Sequence, residues 1–281
     1  MKNVIIVGSG PAGVTAGIYL TRAKINNMII TNNQGALTKA DLIENYYGFE
    51  KPIKGNELLE NGKKQYLNLG GNLLEDEIVS ITFEDKLVVK GVKANYKADI
   101  IILATGVSRL LPNIKGLSDE IGVSYCAICD AFFYREKDVV ILGNGSYAIS
   151  EAEVLKKTSK TTTILTNGRE MTSPTTIDVN TNKISYISKE NDKFKIVFEN
   201  NDEIFIDGVF IAEGIAGASA LAKKIGAKTE SNKIIVNENM KTNIPGLYAI
   251  GDCTGGILQI SKAVYDGTVA ALNIIKENKK E

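Results

Sequence analysis

Residues 4–13 read Val4-Ile5-Ile6-Val7-Gly8-Ser9-Gly10-Pro11-Ala12-Gly13, and this stretch decides the fold. An unbroken β-branched run predicts a buried strand of a parallel sheet. The glycines after it are spaced G-x-G-x-x-G and lead into an apolar helical pattern through Val14, Ile18 and Tyr19, with Met28-Ile29-Ile30 as the next strand. Strand, glycine turn, helix and strand in this order form a dinucleotide-binding βαβ unit. Gly8 permits the tight turn, Gly10 lets a pyrophosphate approach the backbone, and Gly13 lets the helix pack on the strand. Pro11 and Ala12 open that helix, whose free amides and positive dipole face the phosphates. The acidic residue that commonly holds a ribose is missing, because Thr31-Asn32-Asn33 ends the second strand.

The same grammar recurs further along. Val139-Val140-Ile141-Leu142 is a strand, Gly143-Asn144-Gly145-Ser146-Tyr147-Ala148 a G-x-G-x-x-A turn, a helix follows through Val154-Leu155, and Thr162-Thr163-Ile164-Leu165 closes the unit. Two such units predict an α/β fold of two Rossmann-like dinucleotide-binding domains, the second inserted in the first. Two more segments complete a flavin site. Asp99-Ile100-Ile101-Ile102-Leu103 is a buried strand running into Ala104-Thr105-Gly106, and Leu247-Tyr248-Ala249-Ile250 is another, ending in Gly251-Asp252. A carboxylate at such a strand tip stands where ligands bind, and Asp252 is placed to accept a hydrogen bond from a ribityl hydroxyl. Helical spacing from Gln259 to Ile275 points a positive helix end, near Leu258-Gln259, at the negative charge of a reduced flavin.

Just before the second unit stands Cys126-Ala127-Ile128-Cys129-Asp130, in a chain of 281 residues with no histidine. A C-x-x-C pair serves as a redox dithiol, half a zinc site or a structural disulfide. Structural zinc needs about four ligands, mostly thiolate and imidazole, and only Cys253 remains as a further sulfur. Clamping so short a loop removes little unfolded-state entropy. Thiol–disulfide chemistry is therefore the leading reading. Any proton needed at these sulfurs comes from a carboxylic acid, and Asp130 is covalently next door, with Phe132 and Phe133 as a candidate apolar wall or as plain core. Cys253 reads as a small packed residue.

Composition narrows the classes. Lys plus Arg equals Asp plus Glu at 33 each, so no bulk field argues for nucleic acid or a membrane surface. The apolar run at 4–7 is too short for a secretion signal or a membrane span, which predicts a soluble, cytoplasmic protein.

GSGPAG at 8–13, IENYYG at 43–48, ATG at 104–106, CAICD at 126–130, GNGSYA at 143–148 and IPGLYAIGD at 244–252, in this order and spacing, resemble the low-molecular-weight thioredoxin reductases over essentially the full length. The resemblance implies FAD in a discontinuous domain at 1–113 and 240–281, with an inserted pyridine-nucleotide-binding-like domain at 117–237 carrying the C-x-x-C. It also implies a homodimer and a disulfide that alternately faces flavin and thioredoxin, with electrons entering through Cys129, and it sets Asn45 beside the isoalloxazine ring.

The second unit departs from the family pattern. Where NADPH-using members carry a histidine and two arginines to grip the 2′-phosphate, this chain has Thr166, Asn167 and Gly168. Arg169 has Glu170 beside it, Tyr147 puts a ring in the glycine turn, and Pro174-Thr175-Thr176-Ile177-Asp178-Val179 replaces a helix. In this the chain is similar to ferredoxin-dependent flavin thioredoxin reductases, and the second unit becomes a scaffold for the dithiol. Ferredoxin near about −400 mV and thioredoxin near about −270 mV leave ~130 mV, roughly 6 kcal/mol for two electrons. Lys63-Lys64 and Lys156-Lys157 are candidate contacts for an acidic ferredoxin, or solvated helix faces. The alternatives are an NAD(P)H-dependent thioredoxin reductase, a dithiol oxidase and a flavin redox sensor.

Overall fold

The computed structural model describes residues 2–32, 35–40, 42–106, 111–118, 121–125, 127–214, 216–230 and 233–279. The chain divides into two units, residues 1–108 with 217–281, and residues 109–216.

The first unit contains β1 (Val4–Val7), α1 (Pro11–Arg22), β2 (Asn27–Thr31), α2 (Gly55–Asn68) and β3 (Asn72–Glu75). A three-stranded meander follows, β4 (Ile78–Phe83), β5 (Leu87–Gly91) and β6 (Asn95–Ala98), leading to β7 (Ile100–Leu103). The second unit contributes α3 (Ala127–Asp130), β8 (Asp138–Leu142), α4 (Ser146–Leu155), β9 (Thr161–Leu165) and β10 (Asp178–Asn180). It ends with β11 (Ile184–Glu190), β12 (Lys193–Phe198), β13 (Glu203–Ile206) and β14 (Gly208–Ile211). The chain then returns to the first unit through α5 (Ala218–Lys224), a small hairpin of β15 (Thr229–Glu230) and β16 (Lys233–Ile234), β17 (Leu247–Ala249) and α6 (Ile260–Asn278).

The first sheet is wholly parallel, in the order β17-β7-β1-β2-β3. Its centre is buried on both faces, which is why β1 and β7 are uninterrupted aliphatic runs with every residue buried. Each such side chain contributes about 1.5–3 kcal/mol on leaving water. Small residues let α1 and α6 approach closely: a Cβ at Gly267 would lie 2.4 Å from the Ala12 carbonyl oxygen. Tyr66 joins α2 to the sheet from a fully buried position. Its hydroxyl donates to Asn27 Oδ1 at 2.9 Å and accepts from the Asn72 amide at 3.1 Å.

The second unit repeats the plan on a smaller scale, with a parallel sheet β10-β9-β8-β14 and an antiparallel meander β11-β12-β13. No helix spans β9 to β10, as the β-branched 174–179 stretch predicts; residues 166–177 make the crossover as turns. The fold is thus two Rossmann-like domains, the second inserted in the first. The return lies earlier than the sequence places it. Residues 217–237 belong with the first unit, because α5 packs on β4 and Lys224 Nζ donates to the Val79 carbonyl at 2.8 Å.

Candidate functional site

Gly13 lies where α1 starts against the first turn. A Cβ on it would stand 2.0 Å from the Gly8 carbonyl oxygen, so only glycine allows the helix to sit there. Gly8 itself has φ +112°, in the region that disfavours side chains. Gly10 differs from both: a Cβ there would meet nothing within 4 Å. The cradle above Gly10 is open, Pro11 stands at the helix start, and no side chain caps α1. Ser9 and Thr31, both buried, share a hydrogen bond of 2.8 Å that ties the turn to the end of β2. A cleft of about 370 Å³ opens beside Gly10 and Pro11, walled by Tyr46 and Phe49 and by Ile260 and Val264 of α6.

The other expected flavin residues gather in the same unit. Asn45 Nδ2 donates to Gln259 Oε1 at 3.2 Å, joining segments 214 positions apart. Gln259 is the residue before α6. Thr105 follows β7 with its Oγ1 buried and without a hydrogen-bond partner, a polar atom that a bound ligand would satisfy. Asp252 sits in the turn after β17, where burial first raises its carboxyl pKa, Lys262 opposes and Asp266 adds.

Two residues of α6 that hold this turn escaped the sequence reading. Asp266, 2% exposed, accepts from the Gly251 amide at 2.9 Å. Lys262 Nζ pairs with Asp266 at 2.7 Å and donates to the Gly251 carbonyl at 2.7 Å and Thr254 Oγ1 at 2.6 Å. Their signal was a lysine and an aspartate four apart, with Asp266 in register with the apolar stripe of Ala263 and Ala270. The Cys253 thiol donates to the Ile250 carbonyl at 3.2 Å, and burial pushes its pKa up to about 12. It is the packed small residue expected.

In the second unit, Cys126 lies outside the described residues, and of Cys129 only the backbone, in α3, is described. Asp130 Oδ2 accepts a hydrogen bond from Ser124 Oγ at 2.6 Å. Phe132 and Phe133 are neither core nor wall. They are 75% and 68% exposed and stack edge to face, because the short 3-10 turn at 131–134 directs Tyr134 inward against Phe210 instead.

The second glycine turn is covered by its own chain. Asn144 Nδ2 donates to the Glu170 carbonyl at 2.9 Å, the Thr172 amide donates to the Asn144 carbonyl at 2.8 Å, and Ser146 and Ser173 hydroxyls meet at 3.1 Å. A Cβ on Gly145 would find Thr172 Oγ1 at 3.5 Å. Two details differ from expectation. Tyr147 does not crowd the turn; it is 4% exposed and points inward. Arg169 pairs with the buried Glu213 at 2.5 Å rather than with Glu170, whose carbonyl is held by Asn144. Lys63 is also buried, with its Nζ on Glu60, and so offers no surface charge; Lys64, Lys156 and Lys157 are exposed.

The model of the pyridine nucleotide-disulphide oxidoreductases matches residues 2–267. The chain belongs to this family. Among relatives of the oxidoreductase, a thioredoxin reductase of Peptoclostridium acidaminophilum is 32% identical, with 96% of each chain covered. A protein of the rubredoxin operon of Clostridium pasteurianum is 32% identical over 96% of this chain and 95% of its own. Among solved structures, the atypical thioredoxin reductase TRi of Desulfovibrio vulgaris Hildenborough superposes with a TM-score of 0.89 at 34% identity, covering 100% and 99% of the two chains. A ferredoxin-flavin thioredoxin reductase of Clostridium acetobutylicum gives 0.70 at 30% identity, covering 100% and 99%. The oxidoreductase is a FAD flavoprotein, and the open Gly10 cradle and the orphaned Thr105 hydroxyl fit that group. Among the described residues no group of three or more His, Cys, Asp or Glu is arranged to hold a metal, and no helix is long and apolar enough to cross a membrane.

Two outcomes follow from this geometry. Gly10→Ala is expected to fold with an unchanged Tm yet lose FAD, because its Cβ fills only the ligand's space; Gly13→Ala is expected to lower Tm as well. Absorbance near 450 nm (roughly, for bound flavin) beside a thermal melt separates the two. In native protein at pH 8, the thiol of Cys253 is expected to resist iodoacetamide, because its pKa of about 12 leaves little thiolate; peptide mass mapping reads the label.

Proposed function

We propose that the protein is a flavin-dependent thioredoxin reductase working through a Cys126–Cys129 dithiol, with reduced ferredoxin as its electron donor. The covered second glycine turn carries the donor assignment. A nucleotide pyrophosphate would need the space taken by Thr172 and Ser173, and a 2′-phosphate would meet an arginine already neutralised by Glu213. The likeness to a ferredoxin-flavin thioredoxin reductase supports the same assignment. The reading includes a homodimer and a cytoplasmic location, the first open to size-exclusion chromatography.

FAD, held by Gly8, Gly10, Pro11, Ala12, Gly13, Asn45, Thr105, Gly106, Gly251, Asp252 and Gln259, supplies the exchange between one-electron and two-electron carriers. The open cradle leaves the α1 amides for the pyrophosphate, and Asp252 accepts from a ribityl hydroxyl. In the reduced protein, one cysteine thiolate attacks the thioredoxin disulfide. A mixed disulfide forms and one thioredoxin thiolate leaves, taking its proton from Asp130. The second cysteine then gives its proton to Asp130 and attacks the mixed disulfide, restoring the Cys126–Cys129 bond and releasing thioredoxin with its second sulfur as the leaving thiolate. The exposed Phe132 and Phe133 offer the partner an apolar patch close in sequence to the dithiol.

Anaerobic stopped-flow reduction by ferredoxin, NADPH and NADH tests the donor. Fast flavin bleaching and thioredoxin turnover are expected with ferredoxin alone; rapid NADPH turnover at micromolar concentration would overturn the assignment. Cys126→Ser and Cys129→Ser are each expected to abolish thioredoxin reduction and keep FAD.

Asp130→Asn is expected to slow thiol–disulfide exchange ~100-fold or more. A single-turnover rate within about twofold of wild type would remove Asp130 from proton transfer.

A further inference from the structure

The turn that carries Asp252 is held from α6 at both ends. Gly251, immediately before Asp252, has φ +76°, and a Cβ on it would lie 3.0 Å from that of Ala12. The turn therefore rests against the first residues of α1, beside the open Gly10 cradle. The Gly251 amide donates to Asp266 Oδ2 at 2.9 Å, and its carbonyl accepts from Lys262 Nζ at 2.7 Å. At the other end, Thr254 Oγ1 accepts from the same Nζ at 2.6 Å and donates to the Gly251 carbonyl at 2.8 Å. Lys262 and Asp266 close the set at 2.7 Å. Between these anchors Asp252 is half-buried, and among the described residues its carboxylate has no hydrogen-bond donor.

Helix stability does not account for this pair. Lys262 stands in the first turn of α6, where the helix end is positive and a cation is disfavoured. The order is also the weaker one for residues four apart, since the acid is better placed N-terminal to the base. A carboxylate buried as deeply as Asp266 is costly unless it is bonded and paired, so packing alone does not favour aspartate there. What the two residues serve is the turn, because their bonds outside α6 go to Gly251 and Thr254.

We propose that Lys262 and Asp266 are positioning residues for FAD: they clamp the turn that presents Asp252, and the Lys262 charge offsets that of Asp266, so that Asp252 meets the ribityl chain as a carboxylate. The proposal rests on the reading of Asp252 as the acceptor of a ribityl hydroxyl. Two carboxylates in one turn repel, and each disfavours the ionised form of the other. Burial pushes the Asp252 carboxyl above its usual range, Lys262 pulls it back and Asp266 pushes it up again. The other groups packed on the turn do not replace the lysine. β16 brings Lys233, whose stem packs against Gly255; α1 has only Tyr19 and Arg22, both in its last turn; and the Cys253 thiol stays neutral. A carboxylate accepts a hydrogen bond roughly twice as strong as a neutral group does. FAD is therefore held more tightly above the Asp252 pKa, and its grip weakens as pH falls through that value.

The test is FAD retention by the holoprotein, read by ultrafiltration as a dissociation constant over a pH series from mildly alkaline to acid, with a thermal melt to confirm folding at each pH. In wild type the constant is expected to rise at the acid end, as Asp252 takes a proton. Lys262→Met is expected to move that midpoint up by about one pH unit and to weaken binding severalfold at every pH, through loss of the clamp. Asp266→Asn keeps an acceptor for the Gly251 amide and removes only the charge, so its midpoint moves the opposite way. Lys262→Arg keeps the charge and with it the wild-type midpoint. A clamp without the charge effect would weaken binding at every pH and move no midpoint. Coincident midpoints, shifts in the same direction, or wild-type retention indifferent to pH overturn the proposal. Should Lys262→Met fail to fold, Asp266→Asn decides: a midpoint at or above that of wild type overturns it. Asp252→Asn separates this proposal from the reading beneath it. If that variant binds FAD as wild type does, with the acid loss intact, the reading of Asp252 falls as well. If it abolishes the acid loss while the α6 variants leave theirs unmoved, this proposal alone falls.

Discussion

The contact on which the molecule turns is the one between Gly13 and the carbonyl of Gly8, where a single added carbon would stand 2.0 Å from oxygen. Because nothing intervenes, α1 begins directly above the end of β1, and its unbonded amides open on the space over Gly10. Everything else in the first unit serves that placement. The aliphatic centre of the parallel sheet gives β1 a rigid seat, and α6 presses α1 from the side through Gly267 and Ala12. The Lys262–Asp266 pair holds the Asp252 turn onto the N-terminal half of α6.

The second unit shows what the same architecture becomes when its cradle is closed. Gly143 repeats the approach that Gly8 makes to the Ala104 carbonyl oxygen at 2.5 Å, its absent Cβ lying 2.3 Å from the Ala212 carbonyl oxygen, so the turn keeps its place beside the next strand, while Ala148 stands where the first unit has Gly13. Above Gly145, however, the 170–173 segment bonds to Asn144 and Ser146 of the turn, and Thr172 Oγ1 would stand 3.5 Å from a Cβ there. The buried face of the helix below bonds through Tyr147 to the Tyr125 carbonyl and through Glu151 to the Ala127 amide.

Much of this was legible because it is written in local grammar. Aliphatic runs gave the parallel strands, spaced glycines gave the turns, and the β-branched 174–179 stretch foretold a crossover without a helix. Asn45 and Gln259 were both expected at the flavin and do meet. What stayed hidden depended on partners distant in sequence. Arg169 looks paired with its neighbour Glu170, yet backbone turns at 166–169 swing it to Glu213. Tyr147 looks like an obstruction in the turn, and only the fold shows its ring directed inward. Phe132 and Phe133 have core composition but lie exposed, since a tight turn sends Tyr134 inward. Residues 217–237 follow the second unit in the chain but pack with the first, a boundary set by α5 against β4.

The covering of the second turn is intramolecular, and that alters the competition a nucleotide faces. A tethered segment presents itself at an effective concentration on the order of millimolar or above, fixed by chain length and not by the cell. A free dinucleotide would have to displace Glu170, Thr172 and Ser173 together, against a rival that never dilutes. If the proposed donor is right, swings in the cellular nicotinamide pool, in amount or in redox ratio, leave this surface unchanged. On the proposed ferredoxin reading, a cradle of dinucleotide-binding form is thereby closed to a nucleotide by its own chain.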